Sequence, residues 1–154
     1  MTNLLAVNLH GLINTRSEVR TTLVELGIGK RFAATIVKDD PSTMGALKLC
    51  KDYVAWCPVD EALLSSLLEN RGRVSSVKRL DAPALKALGY KDHAELASKM
   101  LKQEWALSSI SGLKPFFGLS PPRGGFKRSS RRQFREGGVL GENPKLPDIV
   151  KRMI

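Results

Sequence analysis

The chain has 154 residues, is 42% hydrophobic and carries a formal charge of +10; it is long enough for one domain with appendages and too apolar for a disordered tail. No apolar run approaches the ~20 residues of a membrane-spanning helix, and the start, MTNLLAVNLHG, lacks the charged opening and long apolar stretch of a secretory leader, so a cytoplasmic protein is expected. The charge is uneven: residues 1–60 hold seven lysines and arginines against six acids, and residues 121–154 hold nine against three.

Leu4–Leu9 is a short apolar run that reads as a buried strand. Helix one follows, with Thr15 and Glu18 in capping-box spacing, Val19, Leu23 and Leu26 on one face, and Gly27 and Gly29 closing it. Arg31–Lys38 is β-branched enough for strand two. Asp40 before Pro41 suits a helix start, and Met44, Leu47 and Tyr53 or Val54 supply the apolar side of helix two. Tyr53–Cys57 reads as strand three, ended by Pro58. The order β-α-β-α-β predicts a small sheet with helices packed on one face.

Asp60 opens a third helix, with Leu63, Leu64, Leu67 and Leu68 apolar and Arg71-Gly72-Arg73 as its end. A short helix is expected at Asp81–Gly89. A longer one is expected at Asp92–Leu107, with a capping box at Asp92 and Glu95 and with Leu96, Met100 and Leu101 toward the core. Glycine and proline dominate from Ser108 to Leu146. PDIVKRMI then reads as a terminal helix with Ile149, Val150 and Met153 apolar. The fold class is α+β, divided into a core over 1–58, a helical extension over 59–112, and a basic Gly/Pro-rich arm with terminal helix over 113–154.

No catalytic or metal motif emerges. His10 and His93 stand far apart without ligand partners at useful spacing and read as structural. Gly27 and Gly29 follow a helix, so they terminate it and do not open a dinucleotide loop. Asp39-Asp40 reads as a loop and cap. Cys50 and Cys57 have no CxxC spacing and read as buried free thiols. No enzyme, cofactor or metal is expected.

The distinctive stretch is Phe116–Gly138. It places Arg123, Lys127, Arg128, Arg131, Arg132 and Arg135 together without an acid among them, and such a segment calls for a polyanion or a partner surface. Arginine predominates, and its planar fork suits phosphate and stacks on bases. Phe126 and Phe134 can stack on bases or fill apolar gaps, the second being the role expected of Phe126. Gly124-Gly125 and Gly137-Gly138 permit close backbone approach. Fully extended, this irregular arm would reach about 75 Å. It is expected to be mobile when free and ordered on RNA. A second candidate surface comprises Arg16 and Arg20, which share a helix face, Lys30 and Arg31 beyond that helix, and Lys48 and Lys51 on helix two.

These segments resemble the large-subunit ribosomal protein L-thirty family. GLINTRSEVRTTLVELGI is similar to its first loop and helix, and STMGALKLCKDYVAW to its second helix and third strand. Ser120-Pro121-Pro122-Arg123-Gly124-Gly125, Arg135-Glu136-Gly137-Gly138 and the closing Ile149–Met153 resemble the longer archaeal form and its eukaryotic counterpart, protein L-seven. Val74–Leu85 matches least. The resemblance implies a ferredoxin-like core, no catalytic residue, and a structural place in the large ribosomal subunit. It also implies contact with 23S-type rRNA, 5S rRNA nearby and neighbouring ribosomal proteins, with no homo-oligomer. The implied RNA contacts are Arg123, Gly124, Gly125 and the cations through Arg135, with the basic residues of the first loop and helix two. A protein-interaction adaptor, using the helical middle and the basic arm, is the alternative.

Overall fold

The computed structural model describes residues 3–154. Six strands form one mixed sheet: β1 (Asn3–Asn8), β2 (Ala33–Lys38), β3 (Val54–Pro58), β4 (Phe117–Gly118), β5 (Ser129–Gln133) and β6 (Gly138–Glu142), in the order β4-β2-β1-β3-β6-β5. The helices are α1 (Ser17–Glu25), α2 (Pro41–Leu49), α3 (Glu61–Arg71), α4 (Ala82–Ala87), α5 (His93–Lys102) and α6 (Leu146–Lys151). The α+β class stands.

Strand alternation sends successive side chains of β1 to opposite faces, and each face has its own core. Leu4 and Ala6 join Val19 and Leu23 of α1 and Leu47 and Cys50 of α2. Leu5 and Val7 join Leu64, Leu67 and Leu68 of α3, Leu96 and Met100 of α5, and Val150 of α6. The two helices among the first 58 residues therefore lie on one face, and the later helices cover the other.

Several boundaries shift for local reasons. Thr15 does not cap α1: it precedes the cap position and its hydroxyl donates to the Gly11 carbonyl at 3.3 Å. The capping box at Asp92 is also incomplete. Asp92 occupies the cap position without a side-chain bond, and Glu95 accepts instead from the Lys91 amide at 3.0 Å. Phe32, at φ 60°, delays β2 to Ala33. Helix α5 stops at Lys102, short of Leu107, because Glu104 turns left-handed and the Trp105 amide closes back on Met100.

The larger correction concerns the arm, which is not wholly irregular. Phe117–Gly118 pairs antiparallel with β2, β6 pairs parallel with β3, and β5 pairs parallel with β6. Phe117 is buried in the second core, and Phe126 stacks on Phe32 with centroids 6.4 Å apart. Gly138 permits the β5–β6 approach: a Cβ there would lie 1.9 Å from the Arg132 carbonyl.

Candidate nucleic-acid interface

Strand register dictates where the cations go. Val7 faces Ala34 and Asn8 faces Val54, so β2 and β3 begin beside the end of β1. Strands β5 and β6 run parallel to β3 and begin on the same side. The loop after β1, the residues before β2, the C-terminal end of α2 and the entry to β5 are thus gathered at one end of the sheet.

Three grooves at this end contain half of the expected residues. Arg31 and Arg131, with His10, Asn14 and Tyr53, line a groove of about 470 Å³. Lys48, Lys51 and Arg135 line another of about 240 Å³ beside Trp56 and Phe134. Lys127 and Arg128 line a third of about 300 Å³, together with Lys145, Arg152 and Asp148. The core-domain cations and the arm cations therefore mix. A hydrogen bond of 3.0 Å from the Gln133 amide to Asp52 ties β5 to the loop after α2.

The side chains are partly oriented in advance. The Arg31 guanidinium lies 4.8 Å from the Phe32 ring centre and its Nε donates to the Leu9 carbonyl at 3.3 Å. That of Arg128 lies 5.3 Å from the Phe134 ring centre. Gly124 and Gly125, at φ 78° and 70°, make the turn after Arg123 with open space where side chains would project. Arg132 is exposed but lines none of these three grooves. Arg16, Arg20 and Lys30 are exposed and line none of these three grooves, and Arg20 donates to the Leu12 carbonyl at 3.3 Å.

Sequence reasoning missed Arg71 and Arg152. Arg71 is half-buried and donates to the carbonyls of Gly118, Met153 and Ile154 and to the Ser120 hydroxyl, at 2.6–3.4 Å. Burial, then the charges of Arg73, Arg79 and Arg123, lower its pKa. Arg152 donates to the carbonyls of Arg123 and Gly125 at 3.2 and 3.0 Å. These two arginines hold the PPRGG turn in place. Each looks in the sequence like one more surface cation at a helix end, and only the carbonyls brought to it from distant segments reveal its role.

The histidines and cysteines are held by contacts within the fold. His10 packs edge-on against Tyr53 and His93 Nε2 lies 3.0 Å from the Leu80 carbonyl. Cys50 and Cys57 are free and buried, with burial pushing their thiols up to about 11 and about 12, helped at Cys57 by Asp60. Among the described residues no cluster of side chains suits a metal ion, and no helix is long and apolar enough to cross a membrane.

The fold and these grooves define an α+β domain with a broad cationic end. Residues 6–54 match the family described as ribosomal protein L30p/L7e. Proteins named large ribosomal subunit protein uL30 align over nearly the whole length. Those of Nitrosopumilus maritimus and Cenarchaeum symbiosum are each 37% identical over 150 residues, covering 97% of both chains, and that of Thermofilum pendens is 35% identical over 152 residues with the same coverage. The chain belongs to the L30p/L7e (uL30) family of ribosomal proteins, a structural and non-enzymatic family.

Proposed function

We propose that this protein is a structural constituent of the large subunit of the cytoplasmic ribosome, where it binds and stabilises 23S-type rRNA close to 5S rRNA and to neighbouring ribosomal proteins. The observation that carries the reading is the convergence of Arg31, Lys48 and Lys51 with Arg131 and Arg135 at one end of the sheet. Cations on both a rigid domain and a paired strand neutralise phosphates without first ordering a long chain, so less binding energy is lost to entropy. The relatives' large-subunit name supports the location. The antiparallel β2-β1-β3 unit, with α1 and α2 on one face, supports a ferredoxin-like reading of residues 1–58.

The native protein is expected to travel with large subunits on a sucrose gradient; sedimentation only as free protein would refute the assignment. Replacing Arg128, Arg131 and Arg132 together with glutamine should weaken binding to purified 23S-type rRNA. It should also lower the slope of log affinity against log salt by up to about one per lost phosphate contact. An unchanged slope, with capture of an acidic protein that the same substitutions abolish, would favour the adaptor reading instead.

A further inference from the structure

A second basic feature lies outside the residues assembled above. Between α3 and α4 the chain forms a finger whose limbs meet at an antiparallel bridge between Arg73 and Arg79. Its tip is tightly held. The amides of Val74 and Ser75 donate to the Lys78 carbonyl at 3.1 and 3.3 Å, and the Lys78 amide donates to the Ser75 hydroxyl at 3.1 Å. Arg73 reaches the Ser76 carbonyl at 3.0 Å. Lys114 clamps the finger from outside, its amide on the Arg73 carbonyl at 2.8 Å and its ammonium on the Ser76 hydroxyl at 3.0 Å. All this order presents an apolar side chain to water: Val77 is 93% exposed.

The finger's charge is uncompensated. Among the described residues, Arg73, Lys78, Arg79 and Arg123 have no carboxylate side chain within ion-pair distance. Arg73, Arg79 and Arg123 all lie near enough to depress the Arg71 guanidinium electrostatically. Arg71 itself spends its donors on the carbonyls of the β4 segment and the C-terminal residues. It therefore anchors the finger root, and Arg73 and Arg79 remain for a ligand. This site is on the β4 side of the sheet. Arg131 and Arg135 lie on or beside β5, the opposite edge in the strand order.

We propose that the Arg73–Arg79 finger is a second RNA-docking element. Its guanidiniums and Lys78 would grip the backbone of an rRNA segment distinct from the one on the β5 side, with Val77 against ribose or a base face. The inference rests on the rRNA-binding reading above. Fork-shaped guanidiniums select phosphate oxygens. A narrow, rigid tip suits the shallow RNA minor groove, where ribose hydroxyls and base edges are displayed, and apolar side chains at such tips contact or wedge against bases. The finger also adjoins Arg123, the first cation of the arm. With one RNA segment at each edge, the protein would act as a brace.

The test uses the full chain. An Arg73→Gln/Arg79→Gln variant should fold normally, since both side chains are exposed. It should lose on the order of tenfold in affinity for purified 23S-type rRNA at physiological salt, with a salt slope lower by about two. A benzophenone amino acid in place of Val77, irradiated in assembled large subunits, should crosslink to rRNA nucleotides that the same probe at Arg131 does not reach. An unchanged slope, a crosslink to a protein, no crosslink, or a crosslink to the nucleotides reached from position 131 would each overturn the finger's role. The Arg128/Arg131/Arg132 variant separates the two claims. If it weakens binding while the finger variant is silent, only the finger falls; if it too is silent, the rRNA-binding reading falls.

Discussion

Residues 3–58 and residues 113–154 each supply three strands to the same sheet, by different routes. The first segment brings its own core, with Leu4, Ala6, Val19, Leu23 and Leu47 packing among themselves. The second adds Leu113, Phe117, Val139, Leu140, Leu146, Val150 and Met153 to the core on the other face and builds no separate core of its own. It takes backbone pairing from β2 and β3, a pocket for Phe117, the Phe32 ring for Phe126, and carbonyl clamps from Arg71 and Arg152. A basic segment can thus be ordered by the apolar anchors that flank its cations when a sheet offers unpaired strand edges. The consequence is functional, because its cations are displayed from a strand and a fixed turn in place of a loose tail.

The strongest way to break this contrast is to remove the extension's main apolar anchor. Phe117→Ala should cost about 3–5 kcal/mol, read as a lower denaturant midpoint. Amide exchange should accelerate around 117–125 more than in β1. Equal acceleration in β1 would show that the two segments fold as one unit and do not stand as lender and borrower.

A smaller perturbation acts on the far edge. Gly138→Ala sets a Cβ against the Arg132 carbonyl, an overpacking that should cost about 1–3 kcal/mol. Protection of residues 129–133 should fall while β1–β3 keep theirs, and rRNA affinity should drop although no cation has been touched. Retained affinity with β5 released would mean that strand presentation of the arginines is irrelevant.

The mildest effect concerns the first segment's thiols. Unfolded Cys50 and Cys57 ionise near 9, whereas burial holds them protonated up to about 11 and about 12. Their contribution to stability is complete below pH 9 and is lost progressively as pH rises from there toward 12. Cys57→Ala should flatten that decline in denaturant midpoint, and an identical decline in the variant would assign it to other groups. Folded protein at pH 8 should react slowly with a thiol reagent at both positions.

Much of the first segment was legible because its signals are local. The spacing of Val19 and Leu23, the Asp40-Pro41 start and the β-branched run before Lys38 each report their own element. Even there the details slipped. Thr15 shares its hydroxyl with Gly11 in place of capping α1, and the left-handed turn at Glu104 cut α5 short, neither of which leaves a mark on hydrophobic period. In the candidate site, the cations themselves were legible as residue types. The grouping of Arg31 with Arg131 and of Lys48 and Lys51 with Arg135 was not, since it depends on β5 crossing to the far edge of the sheet.

The amino-acid sequence by itself determined the β-α-β-α-β order, the buried thiols, the excess of arginine between Arg123 and Arg135, and the motifs that mark the family. Tertiary structure alone decided that this basic stretch becomes an edge strand and a clamped turn, that Arg71 and Arg152 are fasteners, and that two cationic regions share one end of the molecule. The physical reason is range. Helix faces and caps are written within a few neighbouring residues, whereas the pairing of Ala55 with Gly141 or of Ala33 with Gly118 joins positions more than eighty residues apart, and nothing in the local pattern at either position specifies its partner.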